Sequence, residues 1–237
     1  GDLDAAVASR YSAAARQPAP SLCCPSTSGP DPALLANIPE EVVARDYGCG
    51  DPTRHLRPGE SVLDLGSGSG KACFLAAQIV GPTGRVLGVD RNDDMLALAR
   101  RAQPEVARRI GYDNVRFVKA RIEDLALDRE ALDRRLAAHP VSSEAGLAEL
   151  ERWIAERRTF APAVPDGSVD AVISNCVLNL VLPGARARLF AELFRVLKPG
   201  GRAVISDIVV DRDVAEHLQR DPELWSGCLS GAFLEAE

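Results

Sequence analysis

The sequence is short of several things, and each shortage removes a class of function. Its only histidines are His55, His139 and His217, and none lies in a glycine-rich or acidic motif, so little is available to take a proton from an oxygen or nitrogen nucleophile. No block of Lys or Arg stands out and the formal net charge is −6, which argues against nucleic acid and anionic membrane as partners. No apolar run approaches the roughly 20 residues that span a bilayer. The N-terminal GDLDAAVASRYSAAARQ lacks the basic-then-apolar layout of an export signal and reads as a polar, Ala-rich helix. There is no Cys-x-x-Cys pair, so a zinc ribbon or thioredoxin-type centre is not indicated. No internal repeat or low-complexity tract is visible.

What is present points to one globular domain. Hydrophobic residues make up 46% of the 237, enough for a substantial core. Six cysteines, Cys23, Cys24, Cys49, Cys73, Cys176 and Cys228, are spread along the chain. With no export layout, the expectation is a cytoplasmic protein with reduced thiols. Residues 18–32 are rich in Pro and Ser and read as loop, followed by a short helical piece over 39–46. Strands are expected at 61–66, 85–90, 114–120, 169–176 and 202–210. Helices are expected at 71–80, 92–110 and 185–197. The second has Asn92 as N-cap and Pro104 as a candidate break, and the third is closed by KPGG. This alternation predicts an α/β fold, a parallel sheet with helices on both faces. Residues 126–165 interrupt the rhythm. There Leu147, Leu150 and Ile154 form one stripe of a charged helix, which fits a surface helix with one buried face or a lid over a site.

The segment VLDLGSGSGKAC follows the first strand and opens a helix. Its Gly66, Gly68 and Gly70 spell G-x-G-x-G, one residue short of the dinucleotide fingerprint. Glycines there let the backbone pass close to a ligand; the plainer reading is a tight strand-to-helix turn. RVLGVD ends on Asp90, where a carboxylate accepts both ribose hydroxyls of a nucleoside or caps the helix that follows. RIEDL sets Ile122 beside Glu123, an apolar face and an acceptor suited to an adenine. In this order the three segments resemble the class I S-adenosylmethionine-dependent methyltransferases, from about residue 60 to residue 210, including LKPGG at 197–201. The resemblance implies a Rossmann-like sheet and S-adenosyl-L-methionine as cofactor. It implies cofactor contacts from Asp64, Gly66, Ser67, Gly68 and Gly70, from Asp90 and Arg91, and from Ile122 and Glu123.

VISNCVLNLV breaks an apolar strand with Asn175 and Cys176. Ligands of open α/β sheets bind beyond the C-terminal ends of the strands, so the strand stops being core where it reaches the crevice. Asn175 is a candidate cofactor contact there. A sulfonium methyl is an electrophile for in-line attack, and a soft acceptor with an exposed lone pair needs no base, only alignment. Trivalent arsenic held by three thiolates is pyramidal and keeps such a lone pair. DYGCG (46–50), LDLGSGSG, VISNCVLNL and LWSGCLSGA (224–232) together resemble the arsenite methyltransferases in sequence and order. The resemblance implies As(III) binding by Cys176 and Cys228 with Cys49 as a further thiol, cofactor contact by Tyr47, and redox work by Cys24 or Cys23. It implies methyl transfer to arsenite and methylarsenite, giving methylated arsenicals for detoxification. Methylation raises arsenic formally to the pentavalent state. Two electrons from a thiol pair, leaving a disulfide, return it to trivalent, and glutathione or thioredoxin reduces the disulfide.

Cys73, on the apolar face of the first sheet-covering helix, is expected in the core. The sequence departs from the family in places. Asp46 stands where the first of two tyrosines is usual, Lys71-Ala72 stands for Arg-Asp, and 126–165 is longer. The expected organisation is a helical and loop segment at 1–58, a cofactor-binding domain at 59–210 with 126–165 as an insertion, and the start of an As(III)-binding region at 211–237. The C-terminal strands and domain of the family are expected to be lacking, which leaves a strand edge uncovered. A monomer is expected. Two other readings stay open: a non-catalytic metalloid or thiol sensor on the same fold, and a small-molecule C- or O-methyltransferase whose cysteines hold structural zinc.

Overall fold

The computed structural model describes residues 2–19, 22 and 29–235. Cys23 and Cys24 lie outside the described residues.

A run of apolar residues with no polar partner on either side forms a strand only if both of its faces are covered. β1 (Ser61–Leu65) meets that condition: Val62, Leu63 and Leu65 are at most 1% exposed. It pairs in parallel with β2 (Arg85–Asp90) on one side and β4 (Val169–Asn175) on the other. β3 (Val115–Lys119) and β5 (Leu197–Ser206) extend the sheet, giving the order β3-β2-β1-β4-β5 with every pairing parallel. The chain reverses its direction of travel across the sheet between β1 and β4. At such a switch point the loops part and a crevice opens at the C-terminal strand ends.

Helices cover both faces, as the alternation predicts. On one face α4 (Lys71–Val80) and α5 (Asp93–Ile110) bury Cys73, Phe74, Ala77, Leu96, Ala99 and Val106, with α3 (Glu40–Val43) adding Val42. On the other, α8 (Pro183–Val196) buries Leu189, Leu193 and Val196 against Leu63, Leu65 and Val172. α1 (Leu3–Arg16), capped by the Asp2 carboxylate accepting from the Ala5 amide at 3.2 Å, lies against α5 and against α10 (Pro222–Ser226). α2 (Pro32–Leu35) and α9 (Glu216–Gln219) are single turns. A parallel pair of two-residue strands, β6 (Val209–Val210) and β7 (Phe233–Leu234), ties the C-terminal stretch to the segment after β5.

Where the structure departs from expectation the causes are local. Residues 202–210 do not form one strand. β5 starts at Leu197, takes in KPGG with a register shift opposite Val169 and Ala171, and stops at Ser206. It stops because the Asp207 carboxylate turns back to accept from the Val177 and Leu178 amides at 3.1 and 2.8 Å. Pro104 does not break α5. Ala102 and Val106 are buried on either side of it, and Gln103 is anchored to the Val115 carbonyl at 2.8 Å. Residues 126–165 form α6 (Arg129–Ala138) and α7 (Glu144–Phe160). The expected face of α7 is covered only in part: Leu150 and Ile154 are half-buried, none of its residues is fully buried, and Leu147 is 47% exposed. Polar contacts also hold α7, Arg158 to Asp124 and Arg135 to Glu149.

The seam between α4 and the sheet is tight enough to test. A Cβ on Gly88 of β2 would lie 2.7 Å from both the Cys73 sulfur and the Phe117 ring. Gly88→Ala is expected to lower the unfolding free energy by about 1–3 kcal/mol, read from urea denaturation, with the fold otherwise retained.

Candidate active site

The loops after β1, β2 and β3 and the end of β4 surround a cavity of about 440 Å³. Its floor is the glycine loop. Gly66 and Gly68 adopt φ of 67° and 50°, which lets the chain turn sharply out of β1. The Gly66 and Ser67 amides donate to the Val89 carbonyl at 2.8 and 2.9 Å. The Gly68 amide donates to Asp90 Oδ2 at 2.8 Å, and the Asn92 amide to Asp90 Oδ1 at 2.8 Å. Asp90 therefore sets the loop's shape while it lines the cavity. Asn92 caps α5, as expected, accepting from the Met95 amide at 3.1 Å.

Asp64, Gly66, Ser67, Gly68, Asp90, Arg91, Ile122, Glu123, Tyr47 and Asn175 all line this one cavity. Gly70 does not. It is the N-cap of α4, and its Cβ position faces Phe117, Ala99 and Phe74 at 2.9 to 3.1 Å, so its work is helix packing. No residue of 126–165 lines the cavity. Asp64 is 2% exposed, and the Cys73 thiol donates to its Oδ2 at 3.1 Å. Burial pushes the Asp64 carboxyl up to about 7, with the negative charges of Asp46 and Asp90 adding to it. Cys73 is in the core, fully enclosed. Its burial and the Asp64 charge hold its thiol well above the usual range. Two departures from the family pattern meet each other: Lys71 Nζ lies 2.6 Å from Asp46 Oδ2.

The thiols converge at the end of β4. The Cys49 thiol donates to the Ser206 carbonyl at 3.5 Å and the Cys228 thiol to the Cys176 carbonyl at 3.0 Å. The neighbouring Cys176 thiol, and then burial, raises the Cys49 thiol; the neighbouring Cys228 thiol raises Cys176, against a smaller opposite effect from Cys49. Both are neutral thiols at physiological pH. Among the described residues no three or more His, Cys, Asp or Glu side chains are gathered closely enough to hold a metal ion. Cys176 and Cys228 are the described non-glycine residues with positive φ, 61° and 62°, a conformation that costs on the order of 1–3 kcal/mol each.

The polar groups that hold this strain are all local. The Cys176 amide donates to the Ser206 carbonyl at 2.7 Å, and Asp207 accepts from the next two amides. Asn179, fully buried, donates to the carbonyls of Ile208 and Cys228 at 2.8 and 3.2 Å. Asn175 lines the cavity, but its amide is spent on the turn that carries Cys49. Its Oδ1 accepts from the Cys49 and Gly50 amides at 2.9 and 3.0 Å, and its Nδ2 donates to the Gly50 carbonyl at 2.7 Å. Gly48 and Gly50 permit that approach: a Cβ on Gly48 would sit 2.1 Å from Asn175 Nδ2, and one on Gly50 2.0 Å from Ser206 Oγ. Asn175 is thus a positioning group for a thiol.

The N-terminal helix expected from the sequence is α1, but its place in the cavity wall was missed. Asp4, Val7, Ala8 and Tyr11 line the cavity, and their i, i+3, i+4, i+7 spacing was the available signal. Asp4 bridges Arg91 and Arg121 at 2.9 and 2.6 Å. Tyr11 meets Tyr47 edge to face, centroids 6.2 Å apart. The Tyr47 hydroxyl donates to the Ala14 carbonyl at 3.0 Å and accepts from the Ala19 amide at 3.1 Å.

These contacts make two tests. Asn175→Ala removes hydrogen bonds each worth about 1 kcal/mol, so it should lower stability by about 1–3 kcal/mol and speed alkylation of Cys49, read by peptide mass spectrometry. The Asp64 carboxyl, held at about 7 against 3.8 for an ordinary Asp, makes ionisation unfavourable to the native state. The associated stability is full below about pH 4 and lost as pH rises through about 7. Asp64→Asn should therefore gain on the parent chain between those limits, with a level difference outside them, read from urea midpoints across pH.

Comparison with known proteins agrees with this geometry. The family model of the methyltransferase domain matches residues 56–140 and 135–237. The arsenite methyltransferase of Aquipseudomonas alcaligenes is 38% identical over 215 residues, 90% of this chain and 52% of the relative. The human arsenite methyltransferase is 31% identical over 216 residues, 89% of this chain and 48% of the relative. Among solved structures, the arsenic(III) S-adenosylmethionine methyltransferase of Chlamydomonas reinhardtii superposes with a TM-score of 0.65 at 34% identity, covering 88% of this chain and 59% of that one. The chain spans about half the length of the curated relatives it matches. By its glycine loop, its sheet order and this match over most of its length, the chain belongs to the methyltransferase-domain family.

Proposed function

We propose that this chain is the cofactor- and thiol-bearing part of an arsenite methyltransferase, acting on arsenite and methylarsenite held by Cys176, Cys228 and Cys49. The carrying observation is that Cys176 stands in the wall of the cavity, that the Cys228 thiol donates to its carbonyl at 3.0 Å, and that the Cys49 thiol donates to the Ser206 carbonyl, which also accepts from the Cys176 amide.

The cavity fits S-adenosylmethionine. At about 440 Å³ it is of small-molecule size. Ser67 Oγ is buried there without a hydrogen-bond partner, and a Cβ on Gly68 would meet no protein atom nearer than 4.0 Å. Asp64 and the glycine loop would hold the methionine end, Asp90 the ribose, and Ile122 with Glu123 the adenine. When bound, the cofactor supplies an electrophilic methyl on a sulfonium.

The protein groups do the rest. A neutral thiol that replaces a hydroxyl of arsenite sends its proton off with that hydroxyl as water, so no separate base is required. This suits raised thiols and a wall that carries no histidine. Cys176, Cys228 and Cys49 would hold the arsenic with its lone pair aimed at that methyl, and accepting the methyl would take arsenic formally from trivalent to pentavalent. A thiol pair gives back two electrons and becomes a disulfide, which glutathione or thioredoxin in the cytoplasm reduces. Alignment of the lone pair is the protein's main contribution to rate.

The full chain incubated with arsenite, glutathione and methyl-labelled cofactor is expected to yield labelled methylarsenicals. Cys176→Ser and Cys228→Ser are each expected to abolish the product while leaving cofactor affinity within about twofold. Asp90→Ala is expected to raise the cofactor Kd about tenfold or more with As(III) affinity unchanged. Near-normal turnover in either serine variant rejects the assignment.

A further inference from the structure

The turn at 46–50 carries Cys49 and is tied to three neighbours. Asn175 of β4 holds the Cys49 and Gly50 amides at 2.9 and 3.0 Å. The Tyr47 hydroxyl donates to the Ala14 carbonyl of α1 at 3.0 Å. Asp46, at the start of the turn, accepts on Oδ2 from Lys71 Nζ of α4 at 2.6 Å. The two charged side chains are 24% and 17% exposed, so water and salt screen their attraction less than they screen a surface pair. Asp46, Lys71, Gly50 and Asn175 border one small hollow, so the ion pair and Asn175 brace the turn from adjoining positions.

The helix itself gives no reason for a lysine at 71. Lys71 is the first residue of α4, directly after the glycine loop, and a helix dipole disfavours a cation at its N-terminus. No acidic residue stands in the first turn of α4 to balance it, and the N-cap is Gly70, which makes no side-chain cap. The balancing charge comes from Asp46, 25 positions away in sequence. The gain is tertiary. Asp46 and the glycine loop line the same cavity, and the ion pair fastens the turn with the thiol to the end of that loop.

We propose that Asp46 and Lys71 are positioning residues, a latch between the glycine loop and the Cys49 turn that holds the Cys49 thiol at the Ser206 carbonyl, to which the Cys176 amide also donates. What the latched thiol then binds rests on the arsenic reading of the site.

Iodoacetamide is the probe, with the full chain and peptide mass spectrometry. The rate at Cys49 is divided by the rate at Cys73, which is fully enclosed and reports opening of the whole fold. Asp46→Lys and Lys71→Asp each set like charges face to face, and each is expected to raise the ratio about fivefold or more. The double exchange, Asp46→Lys with Lys71→Asp, restores the pair with its signs reversed and puts the acid at the helix N-terminus, where it is favoured. Its ratio is expected within about twofold of the parent. A merely structural role would speed both thiols together, leave the ratio unmoved and overturn the proposal. A double exchange no better than either single overturns it as well. If a charge reversal does not fold, Asp46→Asn and Lys71→Gln carry the test, and each must raise the ratio at least about threefold; an unchanged ratio there overturns the proposal. Arsenite affinity, read by equilibrium dialysis, is expected to fall about threefold or more in the single variants and to return in the double exchange. Failure of the parent to bind arsenite overturns the arsenic reading alone, since the alkylation ratio needs no arsenical.

Discussion

The end of β4 is the constraint on which the rest of the site depends. A parallel strand buried on both faces has to leave the sheet where the crevice begins, and here it leaves within two residues. Asn175 spends its amide on the Cys49 turn, and Cys176 turns at once into the left-handed region. The strain of that turn, on the order of 1–3 kcal/mol, is offset by three local hydrogen bonds from Cys176, Val177 and Leu178 to Ser206 and Asp207. β5 is shortened as a consequence, because Asp207 is needed at the turn and not in the sheet. The result brings sulfurs from positions 49, 176 and 228 beside one cavity.

The charges around that cavity divide the work. Acidic groups line the wall from Asp64 through Asp90 to Glu123, and two of its arginines, Arg91 and Arg121, pair with Asp4 of α1. Among the described residues Asp64 forms no ion pair; the Cys73 thiol donates to it, and burial raises its carboxyl to about 7. A cationic ligand would relieve that. On the thiol side, neutral sulfurs suit an acceptor whose own hydroxyls leave with the protons. α1 joins the two sides, its Asp4 pairing with Arg91 and Arg121 and its Arg10 donating to Glu223 and Ser226 just before Cys228.

The sheet was legible because its signals are periodic and local. Residues 71–80 and 85–90 match α4 and β2 at both ends, since glycine-containing turns bound α4 and open β2, and the Asn92 cap of α5 follows Asp90. The glycine loop, Asp90 and the Ile122–Glu123 pair were legible because each follows a strand at a fixed place. What escaped was tertiary. Nothing local says that Asn175 faces a backbone turn more than a hundred residues away, or that Arg10 reaches the helix before Cys228. The stripe on α7 was half right: Leu150 and Ile154 are partly covered and Leu147 is exposed, because periodicity marks a face without saying how much of it is covered. Asp46 and Lys71 each looked like a loss against the family pattern; together they form an ion pair.

The account stands or falls on whether these sulfurs share one atom. X-ray absorption at the arsenic edge of the full chain loaded with arsenite measures that directly. Three sulfur neighbours are expected in the parent chain, with fewer in Cys49→Ser and no bound arsenic in Cys176→Ser. Arsenic coordinated by sulfur to the same extent in Cys176→Ser as in the parent would contradict it.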